Sequence, residues 1–97
     1  MDDDPRNRKA RRAARRDGHL DTATFLKLAD RFIDVANTQN KTVQATHLHM
    51  AFLYGAARYN AHVAKNVLNV DDHEKFVGEM TKSYQEMLRN HLADPAV

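Results

Sequence analysis

A chain of 97 residues is long enough for one small domain, and 42% hydrophobic residues give most of it the composition of a folded protein. It contains no cysteine, which excludes disulfides and thiolate zinc sites. The net charge of +2 is unevenly distributed, since residues 1–18 hold seven Lys or Arg and four Asp, whereas residues 19–97 hold eight Lys or Arg and nine Asp or Glu.

The N-terminal segment, residues 1–18, is a basic arm. Asp4 followed by Pro5 is typical of a helix start and Gly18 of a helix stop, but a helix of this length is marginal alone in water. We therefore expect a helical or disordered arm before a single helical domain over residues 19–97. The arm carries no aromatic side chain, so its cations predict generic polyanion binding or, alternatively, a solubilising tail. The cations are Arg6, Arg8, Lys9, Arg11, Arg12, Arg15 and Arg16.

The first helix of the body is predicted over about residues 22–38, with Asp21 or Thr22 as its N-cap. Its apolar residues fall in one half of the helical wheel and its charged residues fill the other half. Residues 38–42 then form a polar connection.

The central helix, predicted over about residues 43–69, is apolar around roughly two thirds of its circumference. Such a helix must be covered on more than one side. If the neighbouring helices do not cover it completely, we expect the uncovered side to be a dimer surface formed by Met50, Tyr54, Ala57 and Ala61.

The last helix is predicted over about residues 73–93, with Asp71 or Asp72 as its N-cap and Asp94 followed by Pro95 at its end. It has a single apolar stripe and an outer face of alternating charges. The three segments together predict an all-α fold, with a compact three-helix core around a central, nearly all-round apolar helix, plus the N-terminal arm.

Three segments of the body carry a resemblance to a known family: residues 29–37 (ADRFIDVAN), 56–64 (AARYNAHVA) and 84–89 (YQEMLR). In this order they resemble the bacterial domain of unknown function numbered 3144, over about residues 24–94. The resemblance implies a helical fold and a bacterial origin, with no activity to transfer. The basic arm lies outside the family pattern, and His62 stands where the family tends to carry an aromatic or apolar residue.

No catalytic or metal motif stands out. The six histidines lack the spacing of helical metal ligands, since His47 and His49 lie on nearly opposite sides of the helix. Ser83, the only serine, lies mid-helix without a nucleophile elbow. We therefore expect no metal, no cofactor, no small-molecule ligand and no enzymatic activity.

One narrow polar sector of the central helix is a candidate partner-facing groove, formed by His47, Arg58, His62 and Lys65. It would attract an acidic partner. The alternative is structural, with Arg58 forming an ion pair with Asp30 or Asp34 and with Asn60 hydrogen-bonded to a loop or helix end.

The sequence favours a non-enzymatic protein–protein interaction or self-associating module, with a protein partner or a homo-oligomer. The alternative is an accessory protein that binds nucleic acid non-specifically through the arm. Because residues 1–18 contain no apolar stretch and the body contains no membrane-span pattern, we expect a cytoplasmic protein.

Overall fold

A computed structural model describes residues 20–97, which form three α-helices and, within that range, no strand. Helix α1 spans Thr22–Gln39, α2 spans Ala45–Asn66 and α3 spans His73–Ala93. The predicted all-α fold and the order of its three helices are confirmed. The predictions for the basic arm lie outside the described residues.

The N-caps of α1 and α3 are aspartates. At α1 the side chain of Asp21 accepts a hydrogen bond from the backbone N–H of Thr24 (2.8 Å) and a second from the Thr24 hydroxyl (3.1 Å). Asp72 likewise accepts from the backbone N–H of Lys75 at 3.0 Å. Each aspartate satisfies an N–H that has no partner inside its own helix, which is why these two helices begin where they do.

The cap of α1 depends on pH. Hydrogen bonds from the backbone N–H of Thr24, and then from its hydroxyl, lower the pKa of Asp21 because they favour the charged carboxylate. Because this pKa is lowered in the folded state, the cap stabilises the protein at pH values above the ordinary pKa of an aspartate. This stabilisation is lost as the pH falls through the lowered pKa.

Helix α2 is shorter at both ends than its apolar pattern predicts. The chain leaves α1 in tight turns, in which the N–H groups of Thr42 and Val43 both bond to the carbonyl of Gln39. At the other end, Asn69 adopts a left-handed conformation with φ of 52°, and the N–H of Val70 bonds to the carbonyl of Ala64. The bonds to Gln39 end the first helix before α2 begins. The bond to Ala64 ends α2, although apolar residues follow it in the sequence.

The described chain divides into two units, one ending at Phe52 and the other comprising Leu53–Val97. The division falls inside α2, and the single domain over residues 19–97 stays a prediction. In the second unit Ala64 is buried, with 5% of its surface exposed, and the residues that are half-buried there are Asn60, Val63, Val70, Phe76 and Met80. In the first unit, the half-buried residues are Thr24, Ala36 and Leu48.

Much apolar surface of the helices is exposed. On α2, 53% of Met50 and 70% of Tyr54 are exposed, and Ala57 and Ala61 are exposed as well. The uncovered side expected from the sequence is therefore present in the single chain. No helix among residues 20–97 has the length and apolar character needed to cross a membrane.

Replacing Asp72 tests the cap of α3. We expect Asp72→Ala to lower the free energy of unfolding by about 1 kcal/mol, because the N–H of Lys75 loses its acceptor. Asp72→Asn keeps a side-chain oxygen at the cap and should lose much less. Urea unfolding followed by far-UV circular dichroism measures both changes. Asp71→Ala removes a neighbouring charge while leaving the cap bond, and an equal loss in this control would contradict the capping role.

Candidate functional site

The groove predicted on α2 is present in part. A shallow surface groove is lined by Gly55, Arg58, Tyr59, Ala61, His62, Lys65 and Asn66. It brings together three of the four predicted residues, Arg58, His62 and Lys65. His47 does not line it, because His47 lies eleven residues before Arg58 in the same helix, about 16 Å along a helix axis.

The three basic side chains form a row because of their spacing. Arg58, His62 and Lys65 are four and three residues apart, which places them on one face of an α-helix. Helix α2 contains no aspartate or glutamate, so none of these side chains has an acidic neighbour on its own helix. Lys65 also lies in the last turn, where the helix dipole favours a positive charge.

The ring of His62 is oriented by its neighbours. The side-chain amide nitrogen of Asn66 donates to the backbone carbonyl of His62 (3.1 Å) and lies 3.2 Å from His62 Nδ1. The Tyr59 ring lies beside it, with a centroid separation of 6.1 Å and an interplanar angle of 32°. Because an amide nitrogen is a donor, this contact is a hydrogen bond in the tautomer that has its proton on Nε2 and accepts at Nδ1.

This tautomer defines the chemistry of the row. In it, Arg58, Lys65 and the Nε2–H of His62 are all hydrogen-bond donors. The complementary ligand is an anionic acceptor such as a carboxylate or phosphate. All seven lining residues come from one helix, so the groove is open to solvent and encloses no reaction chamber.

Sequence reasoning missed Tyr59 and Asn66. The sequence indicates them by their spacing, since Tyr59 lies three residues before His62 and Asn66 lies four residues after it. Both spacings bring side chains together on a helix. The groove also includes Gly55, where an added Cβ would meet no atom within 4 Å. Asn60 does not line the groove, because it lies two residues after Arg58 and so on the far side of the helix.

No structural support for a metal centre is found in the described part of the chain, where no three or more His, Asp or Glu residues are grouped to hold an ion. The buried side-chain nitrogen and oxygen atoms of residues 20–97 all have hydrogen-bond partners.

The tautomer of His62 can be measured by nitrogen NMR of the histidine rings. We expect His62 to carry its proton on Nε2 when neutral, and Asn66→Ala to give a mixture of both tautomers, because the donor facing Nδ1 is lost. His49, an exposed histidine of the same helix, is the internal reference and should not change. A proton on Nδ1 in the unmodified protein would contradict the arrangement.

Comparison with known proteins gives one match. The model of a family described as "Protein of unknown function (DUF3144)" matches residues 25–96. No curated protein and no solved structure matches the chain significantly. The match covers the helical body and leaves out the basic arm.

Proposed function

We propose that this chain, which belongs to the DUF3144 family, is a non-enzymatic protein–protein interaction module that self-associates. One observation carries the proposal: the side of α2 formed by Met50, Tyr54, Ala57 and Ala61 is exposed in the single chain. Apolar surface in water is unfavourable by roughly 25 cal/mol per Å². Contiguous exposed apolar surface of this kind is typical of protein–protein contacts.

Helix α1 supports the same proposal. Its apolar stripe includes Phe25 and Phe32, each 56% exposed, and Leu28 and Val35 are exposed on the same side. The other half of the helix carries charged side chains, so the stripe is the regular apolar face of an amphipathic helix. Such a face is stable when it is covered, and a protein partner would cover it.

The non-enzymatic character of the proposed module rests on the groove of α2. Catalytic sites exclude water and surround the reacting group with positioned donors and acceptors. A row of donors on one open helix face does not provide such an enclosure. It is suited to bind carboxylates of an acidic protein partner, through Arg58, His62 and Lys65.

We place this module in the cytoplasm of a bacterium. The family resemblance implies the bacterial origin. The absence of cysteine is compatible with a reducing compartment, where stability comes from packed apolar surface.

Size-exclusion chromatography with light scattering tests self-association. We expect a mass of at least twice 11.1 kDa at micromolar concentrations, falling toward the monomer on dilution. Raising the salt concentration should leave the association intact or strengthen it, because burial of apolar surface is not screened by ions. A mass of 11.1 kDa at every concentration would contradict the proposal.

A second candidate function rests on the basic arm. Residues 5–16 hold seven positive charges and no negative one, which favours binding of phosphate backbones without base recognition. In this function the arm would hold nucleic acid and the helical body would anchor it.

Titration of fluorescent duplex and single-stranded DNA and RNA tests the arm. If all seven cations bind phosphates, the logarithm of the duplex affinity should fall with the logarithm of the salt concentration with a slope approaching about −6. Removing residues 1–17 should abolish binding. Binding that is absent, or that persists without the arm, would exclude this second function.

A further inference from the structure

We propose that the groove of α2 binds an acidic helix of a protein partner, through carboxylates spaced like Arg58, His62 and Lys65. This inference rests on the proposed role of the groove in binding an acidic partner, and it adds the shape of the partner and the spacing of its charges. The groove lies wholly within the unit Leu53–Val97, and all of its lining residues belong to one helix.

The two long basic side chains of the groove are held apart. Arg58 and Lys65 are separated by seven residues, which is about two turns, so their backbones lie about 10.5 Å apart along the helix axis. Ala61 lies between them, three residues after Arg58 and four before Lys65, and it lines the groove with a single methyl group. The space between the two basic side chains is therefore open to a ligand.

This spacing favours a helical partner. Acidic residues seven positions apart in an α-helix lie on one face, about 10.5 Å apart along its axis, as Arg58 and Lys65 do. In an extended segment, the residues that share a face are two or four positions apart, which gives about 7 Å or about 13 Å. A helix therefore presents two carboxylates to Arg58 and Lys65 at the required distance, with room for a third opposite His62.

The floor of the groove allows a second helix to approach closely. Gly55 and Ala61 are its smallest lining residues, and an added Cβ at Gly55 would meet no atom within 4 Å. Packing within the chain therefore does not require a glycine at this position, although glycine inside a helix is destabilising relative to alanine. Close approach of a partner backbone gives Gly55 a role.

The charges of the groove call for an acidic partner. Arg58, His62 and Lys65 are exposed, and α2 contains no aspartate or glutamate, so the lining itself offers no carboxylate to pair with them. Single exposed ion pairs contribute little to binding. A partner helix with several carboxylates on one face engages the whole row at once, and its complementary potential steers it to the groove.

His62 makes this contact depend on pH. The charged or titratable groups that line the groove with it are Arg58, Lys65 and Tyr59, none of which is a carboxylate. A partner carboxylate opposite His62 favours the protonated ring, so binding takes up a proton and strengthens as the pH falls through the range in which histidines titrate. The amide of Asn66, now a donor to Nδ1, can rotate so that its oxygen accepts from the protonated ring.

Two synthetic helical peptides of identical composition test the spacing. One carries glutamates at positions i, i+4 and i+7 of an alanine-rich helix, and the other carries them at i, i+5 and i+10, which spreads them around the helix. Fluorescence anisotropy with the full chain at low salt gives both dissociation constants. We expect the first peptide to bind at least about fivefold more tightly, because it alone places all three carboxylates on one face.

Variants of α2 test whether the groove is the site. Arg58→Gln and Lys65→Gln should each weaken binding of the first peptide at least about threefold, because each removes a group that faces a carboxylate. Ala61→Leu should also weaken it, because the larger side chain fills the space between the two basic groups. Ala57→Leu changes an exposed alanine outside the groove and should leave binding within about twofold. Circular dichroism checks that each variant keeps its helix content.

The contribution of His62 is measured by comparing about pH 7.5 with about pH 5.5, a range in which histidines titrate while the glutamates of the peptide stay ionised. We expect the affinity for the first peptide to rise about threefold at the lower pH. His62→Gln keeps a hydrogen-bond donor that does not titrate and should abolish this rise. His49→Gln, at an exposed histidine of α2 outside the groove, should keep it.

Each result separates the inference from the proposed function. Equal binding of the two peptides, or a pH effect that survives in His62→Gln, would overturn the inference while binding of acidic partners by the groove stands. Displacement of the peptide by inorganic phosphate, beyond the effect of sodium chloride at equal ionic strength, would indicate a site for a single anion and overturn the helical partner. No binding, or binding that no groove variant weakens, would overturn the proposed role of the groove as well. Self-association is measured on the chain alone and is independent of these results.

Discussion

The properties of this protein depend on one constraint, which is that α2 is apolar on more sides than the single chain covers. In the C-terminal unit, Ala64 of this helix is buried and Asn60 and Val63 are half-buried. Other apolar residues of the same helix are exposed, among them Met50 and Tyr54. A helix that is apolar around most of its circumference has its lowest free energy when all of that surface is buried. This amphipathic imbalance is the physical basis of the self-association proposed above.

Helix α2 carries both exposed apolar side chains and a row of hydrogen-bond donors. Its exposed apolar side chains, among them Met50 and Tyr54, carry no charge. The row of Arg58, His62 and Lys65 carries donors and positive charge, and α2 has no acidic residue to neutralise it. Burial of uncharged apolar side chains is insensitive to salt, whereas binding to an exposed row of donors depends on charge and salt.

Membership of the DUF3144 family covers residues 25–96 and so includes both of these surfaces. A function shared by the family is therefore to be sought in the helical body. The arm of residues 1–18 lies before the matched region and has a charge distribution of its own. Its proposed polyanion binding would be an addition to the body, and removing the arm separates the two experimentally.

The sequence alone determined the local structure of this protein. The bounds of α3 agree with the predicted residues 73–93, because its caps, its apolar stripe and the following proline act over a few residues. The structure decided that Asp21 and Asp72, and not their neighbours, are the caps. It also showed the bond between Asn66 and His62. The exclusion of His47 from the groove follows from its spacing to Arg58 along the helix, whereas tertiary structure decided which residues of α2 are covered. Helical periodicity places a residue on a face, but burial of that face depends on which distant segments pack against it, and no local pattern encodes that.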